Sequence, residues 1–252
     1  MALSSQPAAD LAPLPRADGS ATFSHNGFVV TAAVNGPVEA PRRDENAFEA
    51  LVDVVVRPAA GVGGTAERQL ESILQSTLRQ LIPIKDFPRT MIQITLQIVG
   101  IPENAYENAK ILQAQLNLPV IPALLHAAIL GLLTASIPLK TIVTACTVAI
   151  TEDGASAGRV TLEPTAIEAR RAKSLHVVGF TGDGGLLLSE NTGSFSVEEL
   201  AKVLELGEKA CSRDHKDGTD VLMEDDEISS SSIRYFIRSV MQAKSAKDLH
   251  WK

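Results

Sequence analysis

The segment from Ala123 to Ala135, ALLHAAILGLLTA, most constrains what this chain can become. At helical spacing it is apolar on nearly every face, and such a helix must be covered on nearly every face. The full apolar stretch, about Val120 to Leu133, is interrupted by Pro122 and His126. It falls short of the roughly 20 residues that cross a bilayer. The covering layers must therefore be protein, and no membrane partner is expected.

Those layers are legible as strands. Met91–Val99 alternates, with Ile92, Ile94, Leu96 and Ile98 on one face and Gln93, Thr95 and Gln97 on the other. Ala21–Phe23 and Phe28–Val34 flank His25-Asn26-Gly27, and Asn-Gly between β-prone runs predicts a hairpin. Asn35-Gly36-Pro37 is expected to end the second of these strands. Leu51–Arg57 reads as a strand stopped by Pro58. Thr141–Thr151, Arg159–Leu162, Ser174–Phe180 and Leu186–Ser189 form a second group. Two amphipathic helices are predicted by apolar spacings of three and four. One carries Leu70, Ile73, Leu74, Thr77, Leu78 and Leu81 after Gly63-Gly64-Thr65; the other is Val197–Cys211. A last helix is expected over Ser232–Ala243. Residues 102–118 read as a connector with some helix. The mixture predicts an α/β fold of sheets with packed helices.

Of 252 residues, 45% are hydrophobic, enough for a sizeable core and too many for a disordered chain. The start shows no basic, apolar leader pattern. The net charge of −7 is uneven, since residues 213–227 hold seven acids against two bases. That run reads as a solvated, flexible insertion at about 213–230. The near-neutral remainder lacks the strongly basic footprint of a stand-alone nucleic-acid binder. One domain is expected over 14–245, between tails at 1–13 and 246–252. Cys146 and Cys211 read as reduced thiols, too few for a disulfide framework or a four-cysteine zinc site.

Several chemistries find no motif. There is no phosphate-binding P-loop, no nucleophile elbow and no histidine with a second ligand at metal spacing. Gly61-Val62-Gly63-Gly64 lacks the third glycine of a dinucleotide fingerprint. His126 and His176 read as satisfied core histidines. Glu152, Asp153, Glu163 and Glu168 invite an acid–base or metal reading, but Glu152-Asp153-Gly154 fits turn chemistry better. No metal and no cofactor are expected.

A set of short motifs in order resembles the RNase PH superfamily. They are Asp18-Gly19-Ser20-Ala21, Gly36-Pro37-Val38-Glu39, Val55-Val56-Arg57-Pro58, Pro88-Arg89, His126-Ala127-Ala128 through Lys140, Leu162-Glu163-Pro164-Thr165, and Phe195 with Glu198-Glu199-Leu200. Together they span about residues 14–212. The resemblance is strongest to the RNase PH-like subunits of the eukaryotic RNA exosome ring. It implies an RNase PH-type fold, also described as ribosomal protein S5 domain 2-like, and five paralogous neighbours in a hexameric ring. It also implies cap subunits with S1 and KH modules, a separate catalytic nuclease, single-stranded RNA in the channel, and a location in nucleus, nucleolus and cytoplasm.

Phosphorolysis needs cations and backbone donors for phosphate, and an acid near the leaving group. Where active members resemble Gly-Gly-Arg-Thr, this chain has Gly63-Gly64-Thr65-Ala66. Where they resemble Gly-Gly-Thr-Arg-Thr, it has Ala123-Leu124-Leu125-His126. Where the acid would stand, it has Lys173-Ser174-Leu175-His176. The expectation is a degenerate site at Thr65, Ala66, Leu124, Leu125, Lys173 and Ser174, with no catalytic residues and a structural role in RNA processing and degradation. Arg42, Arg43, Arg57 and Arg89, in a loop or at strand ends, are the candidate RNA contacts. The alternatives are an active phosphate-dependent 3′–5′ exoribonuclease and a free-standing RNA-binding dimer.

Overall fold

The computed structural model describes residues 6–102, 117–151, 159–212 and 232–250. The connector at 103–116, Glu152-Asp153-Gly154 and the whole acidic insertion at 213–230 lie outside the described residues.

The first sheet takes the strand order β1-β2-β3-β5-β4. Its members are β1 (Ala8–Leu11), β2 (Gly19–His25), β3 (Phe28–Glu39), β4 (Leu51–Arg57) and β5 (Thr90–Gly100). All neighbours are antiparallel except β4 and β5, which run parallel. Asn26 and Gly27 join β2 to β3 with φ of 50° and 79°. Two left-handed residues make the turn whose twist matches the strands, as the Asn-Gly pair predicts. In β5, Ile92, Ile94, Leu96 and Ile98 are buried while the intervening residues are half-covered.

The second sheet is β7-β6-β8-β9 and wholly antiparallel. It comprises β6 (Val143–Thr151), β7 (Arg159–Leu162), β8 (Ser174–Thr181) and β9 (Leu186–Gly193). β6 and β8 are buried on both faces up to their last residue.

Helix α2 (Ile121–Thr134) lies between the sheets, touching β2 and β3 on one side and β6 on the other. Its residues from Ile121 to Leu132 are all buried. Gly19 permits this approach, because a Cβ there would sit 2.3 Å from the Ala135 nitrogen. Helix α1 (Thr65–Leu81) packs on β4. Its N-terminus is closed by Glu67, whose Oε2 accepts from the Gly64 amide at 2.6 Å. Helix α4 (Val197–Ser212) covers the outer face of the second sheet. A separate small core of Cys146, Val148, Ile150, Val178, Phe180, Val203 and Cys211 fills that space.

Four local expectations need correction. Residues 8–11 are no loose tail: they pair with Ala21–Ser24, and Ala9 and Leu11 pack on the core. β3 does not stop at Asn35-Gly36-Pro37. The register shifts between Asn35 and Val38, and pairing resumes to Glu39. A bulge absorbs the proline without ending the strand. The short helix α3 (Ala166–Arg171) escaped the periodicity reading because it is too short to show a period. Thr165 caps it, accepting from the Glu168 amide at 3.4 Å. The final helix α5 runs Ile233–Asp248, past Ala243 and into the expected C-terminal tail. Its last turns are polar and held by a Lys244–Asp248 pair at 3.1 Å, so the apolar pattern ends before the helix does.

Candidate functional site

Register fixes which residues share an end of the molecule. Val29 pairs with Gly100, and Arg57 pairs with Gln97. The β2–β3 turn, the end of β5 and the end of β4 therefore lie together. The Phe23 ring lies 5.3 Å from the ring of His126, which brings the first turns of α2 to the same end. α1 begins shortly after Arg57, and β8 passes beside the 3-10 turn Leu118–Val120 that leads into α2. The starts of α1 and α2 therefore lie toward the same end of the molecule.

The side chains there are mostly apolar. Leu124 and Leu125 are fully buried and face no solvent. Thr65 is exposed and Ala66 buried. On β8, Leu175 and Val177 join the main core with α2, while Val178 and Phe180 join the small core under α4. Strand alternation puts Ser174 and His176 on the α4 side. The β8 side chain turned toward α2 is thus Leu175, a point that spacing alone left open within one residue. Lys173 is 3.5 Å from Glu199, an ion pair at the start of α4.

The histidines divide. His176 is satisfied, with Nδ1 2.7 Å from Asn191 Oδ1 and Nε2 2.9 Å from Ser174 Oγ. His126 is only half so. Its Nε2 accepts from the Ala145 amide at 3.1 Å, but its buried Nδ1 has no hydrogen-bond partner among the described residues. Burial, with nearby His25, pushes its pKa down to about 3. His25 is also held below its ordinary value by burial, although Glu163 pulls the other way from 3.5 Å. Sequence reasoning missed the His25–Glu163 contact, because no local pattern links positions so far apart. Glu168, one of the candidate acids, works as a capping residue. Its Oε2 accepts from the Thr165 amide at 2.9 Å, which lowers its pKa. Among the described residues, no group of three or more His, Cys, Asp or Glu is placed to hold a metal ion.

The four candidate arginines do not form one patch. Arg42 and Arg43 are exposed in a turn closed by the Asp44 amide on Pro41 O at 2.9 Å. Arg89 joins that corner: its amide donates to Asn46 O at 3.1 Å, and its carbonyl accepts from Ala40 at 3.2 Å. Its guanidinium stands 3.6 Å from Glu45. Arg57 is at the far end of β4, seven residues long, or about 20 Å away. It lies with the starts of α1 and α2.

Two packed sheets around a buried helix define the class, a two-sheet α/β fold. Two family models match in sequence order, "3' exoribonuclease family, domain 1" over residues 10–138 and domain 2 of that family over 141–210. The chain belongs to the 3' exoribonuclease (RNase PH) family. It is 31% identical over 209 residues to "Exosome complex component RRP46" of Saccharomyces cerevisiae, covering 81% of this chain and 89% of that protein. It is 28% identical over 218 residues to the "Exosome complex exonuclease RRP46 homolog" of Oryza sativa, covering 80% and 84%. The crystal structure of rice Rrp46 superposes with a TM-score of 0.74 at 27% identity, covering 95% of this chain and 96% of the other. An Archaeoglobus fulgidus exosome with RNA bound shares the fold, with a TM-score of 0.62 at 12% identity, covering 81% and 84%.

Proposed function

We propose that this chain is a non-catalytic subunit of an RNA exosome ring that supports 3′–5′ RNA processing and degradation. The observation that carries the reading is the apolar filling of the end where a phosphate site would form. Leu124, Leu125 and Leu175 can neither donate a hydrogen bond nor bear a charge. The RRP46-type relatives are exosome components by name, which supports the reading; in it, related subunits close a ring, cap subunits sit on one face, and RNA passes to a separate nuclease. Exposed Phe48, Val62, Ile167 and Val197 are apolar side chains that subunit contacts would cover. The location that suits this role is nucleus and nucleolus, with a cytoplasmic pool.

RNA contact is assigned to Arg42 and Arg43, with Arg89 as neighbour. Such contacts bind phosphate without reading sequence and weaken with salt. Arg57 belongs to the other end and would serve a separate contact. Two measurements test the role. The purified chain, given single-stranded RNA, inorganic phosphate and magnesium, should release no nucleoside diphosphates. Native mass spectrometry of the tagged cellular protein should find it with RNase PH-like paralogues. Phosphate-dependent diphosphate release, or elution of the chain alone, would each overturn the reading.

A further inference from the structure

We propose that Cys146 and Cys211 form a reversible intramolecular disulfide when the folded chain meets a peroxide-class oxidant, fastening the end of α4 to β6. The two Sγ atoms lie 3.9 Å apart although 65 positions separate them in sequence. A disulfide is about 2.05 Å long, so closure needs a movement of about 2 Å. Cys146 stands in the middle of β6 and Cys211 in the last turn of α4. Gly207, one turn earlier on the same helix, lets α4 lie close to this sheet: a Cβ there would sit 2.5 Å from Val178 Cγ2. The Thr144 hydroxyl donates to the Cys211 carbonyl at 3.3 Å, holding that turn against the sheet.

The two thiols are unequal. Cys211 is held below the ordinary thiol range by its hydrogen bond with Cys146, then by the Thr144 hydroxyl and the Phe180 backbone. Cys146 is pushed up by the same bond and by burial. Cys211, in the last turn of α4, is the attacking thiolate, since fraying of that turn gives it access to a small oxidant that mid-strand Cys146 lacks. Its sulfur attacks one peroxide oxygen. The O–O bond breaks, water leaves after protonation, and Cys211 becomes a sulfenic acid. The Cys146 sulfur then displaces hydroxide from the Cys211 sulfur and gives up its proton, forming the S–S bond and a second water. Two thiols lose two electrons in all, and the peroxide gains them. A dithiol reductant reverses the change.

The test uses the full-length, reduced chain in denaturant-free buffer. Hydrogen peroxide should lower the intact mass by two hydrogens, and digestion should yield the Cys146 peptide joined to the Cys211 peptide. Dithiothreitol should restore both thiols. Cys146→Ala should leave Cys211 as a sulfenic acid that dimedone labels. If both thiols of the folded wild type remain alkylatable after peroxide, the proposal fails. It fails equally if the bond forms only between chains, or only once denaturant has unfolded the protein. The wild-type result stands even where a variant folds poorly.

Discussion

At the end where α1 and α2 begin, the chain turns leucines inward and keeps one histidine buried, its Nδ1 without a hydrogen-bond partner among the described residues. At the opposite end, where β4 and β5 begin, it turns arginines outward on a polar loop. The first end gathers the start of α1, already closed by the Glu67 carboxylate, and the start of α2, lined by buried leucines. The second carries the charge, on exposed side chains. The contrast is what the proposed role expects of a ring subunit whose RNA contacts lie on its surface.

The sharpest way to break the contrast is to put the cation back. Leu125→Arg should not restore a phosphate site, because position 125 is fully buried. An unpaired buried charge should destabilise the chain by more than about 4 kcal/mol, seen as a loss of soluble protein or of cooperative urea unfolding. A folded variant with phosphate-stimulated RNA cleavage would show that the end is still an active-site scaffold.

The next effect is acid sensitivity at the same end. His126 has a folded pKa of about 3 against 6.5, so between these values the unfolded chain binds more protons. Stability is then fully present above about pH 6.5 and falls as pH drops toward 3. The slope for this histidine is about 1.4 kcal/mol per pH unit, or about 2 kcal/mol between pH 6.5 and 5. His25, shifted the same way, adds to it. Urea titrations at pH 7 and pH 5 measure the loss. His126→Leu should remove its share of the slope, at a cost of about 1–3 kcal/mol for the unpaired Ala145 amide. A slope unchanged in that variant would remove His126 from the account.

Gly19 tests the packing that fixes the opposite end. Gly19→Ala drives a methyl into the Ala135 backbone at the close of α2. A loss of about 1–3 kcal/mol in thermal or urea unfolding is expected. A neutral result would mean that β2 can draw away from α2 cheaply.

The smallest stability effect belongs to the arginines. Arg42→Glu with Arg43→Glu should change stability by under about 0.5 kcal/mol, since both side chains are exposed. In the assembled complex it should weaken binding of long single-stranded RNA, most at low salt. Equal binding across a salt series would take this corner out of RNA contact.

Much of this was legible along the chain. Alternation in Met91–Val99 marked a sheet with one buried face, and Asn26-Gly27 marked its hairpin. The all-apolar run at 123–135 demanded a helix between layers. Leucines at 124 and 125 carry the expectation of a degenerate phosphate site, and both are fully buried. Signals failed where they were short or non-local. β1 has only four residues and α3 six, below the length at which a period shows. The bulge at Asn35–Val38 carried β3 through a proline that local rules treat as a stop.

By itself, then, the sequence determined most of the elements and the buried helix, because burial period is a property of neighbours in the chain. Only the tertiary structure decided that Leu175 and not Ser174 faces α2. It alone separated Arg57 from Arg42, Arg43 and Arg89, set Glu163 beside His25, and brought Cys146 within 3.9 Å of Cys211. Each of these depends on strand register and layer packing, which join residues tens of positions apart and leave no local pattern to read.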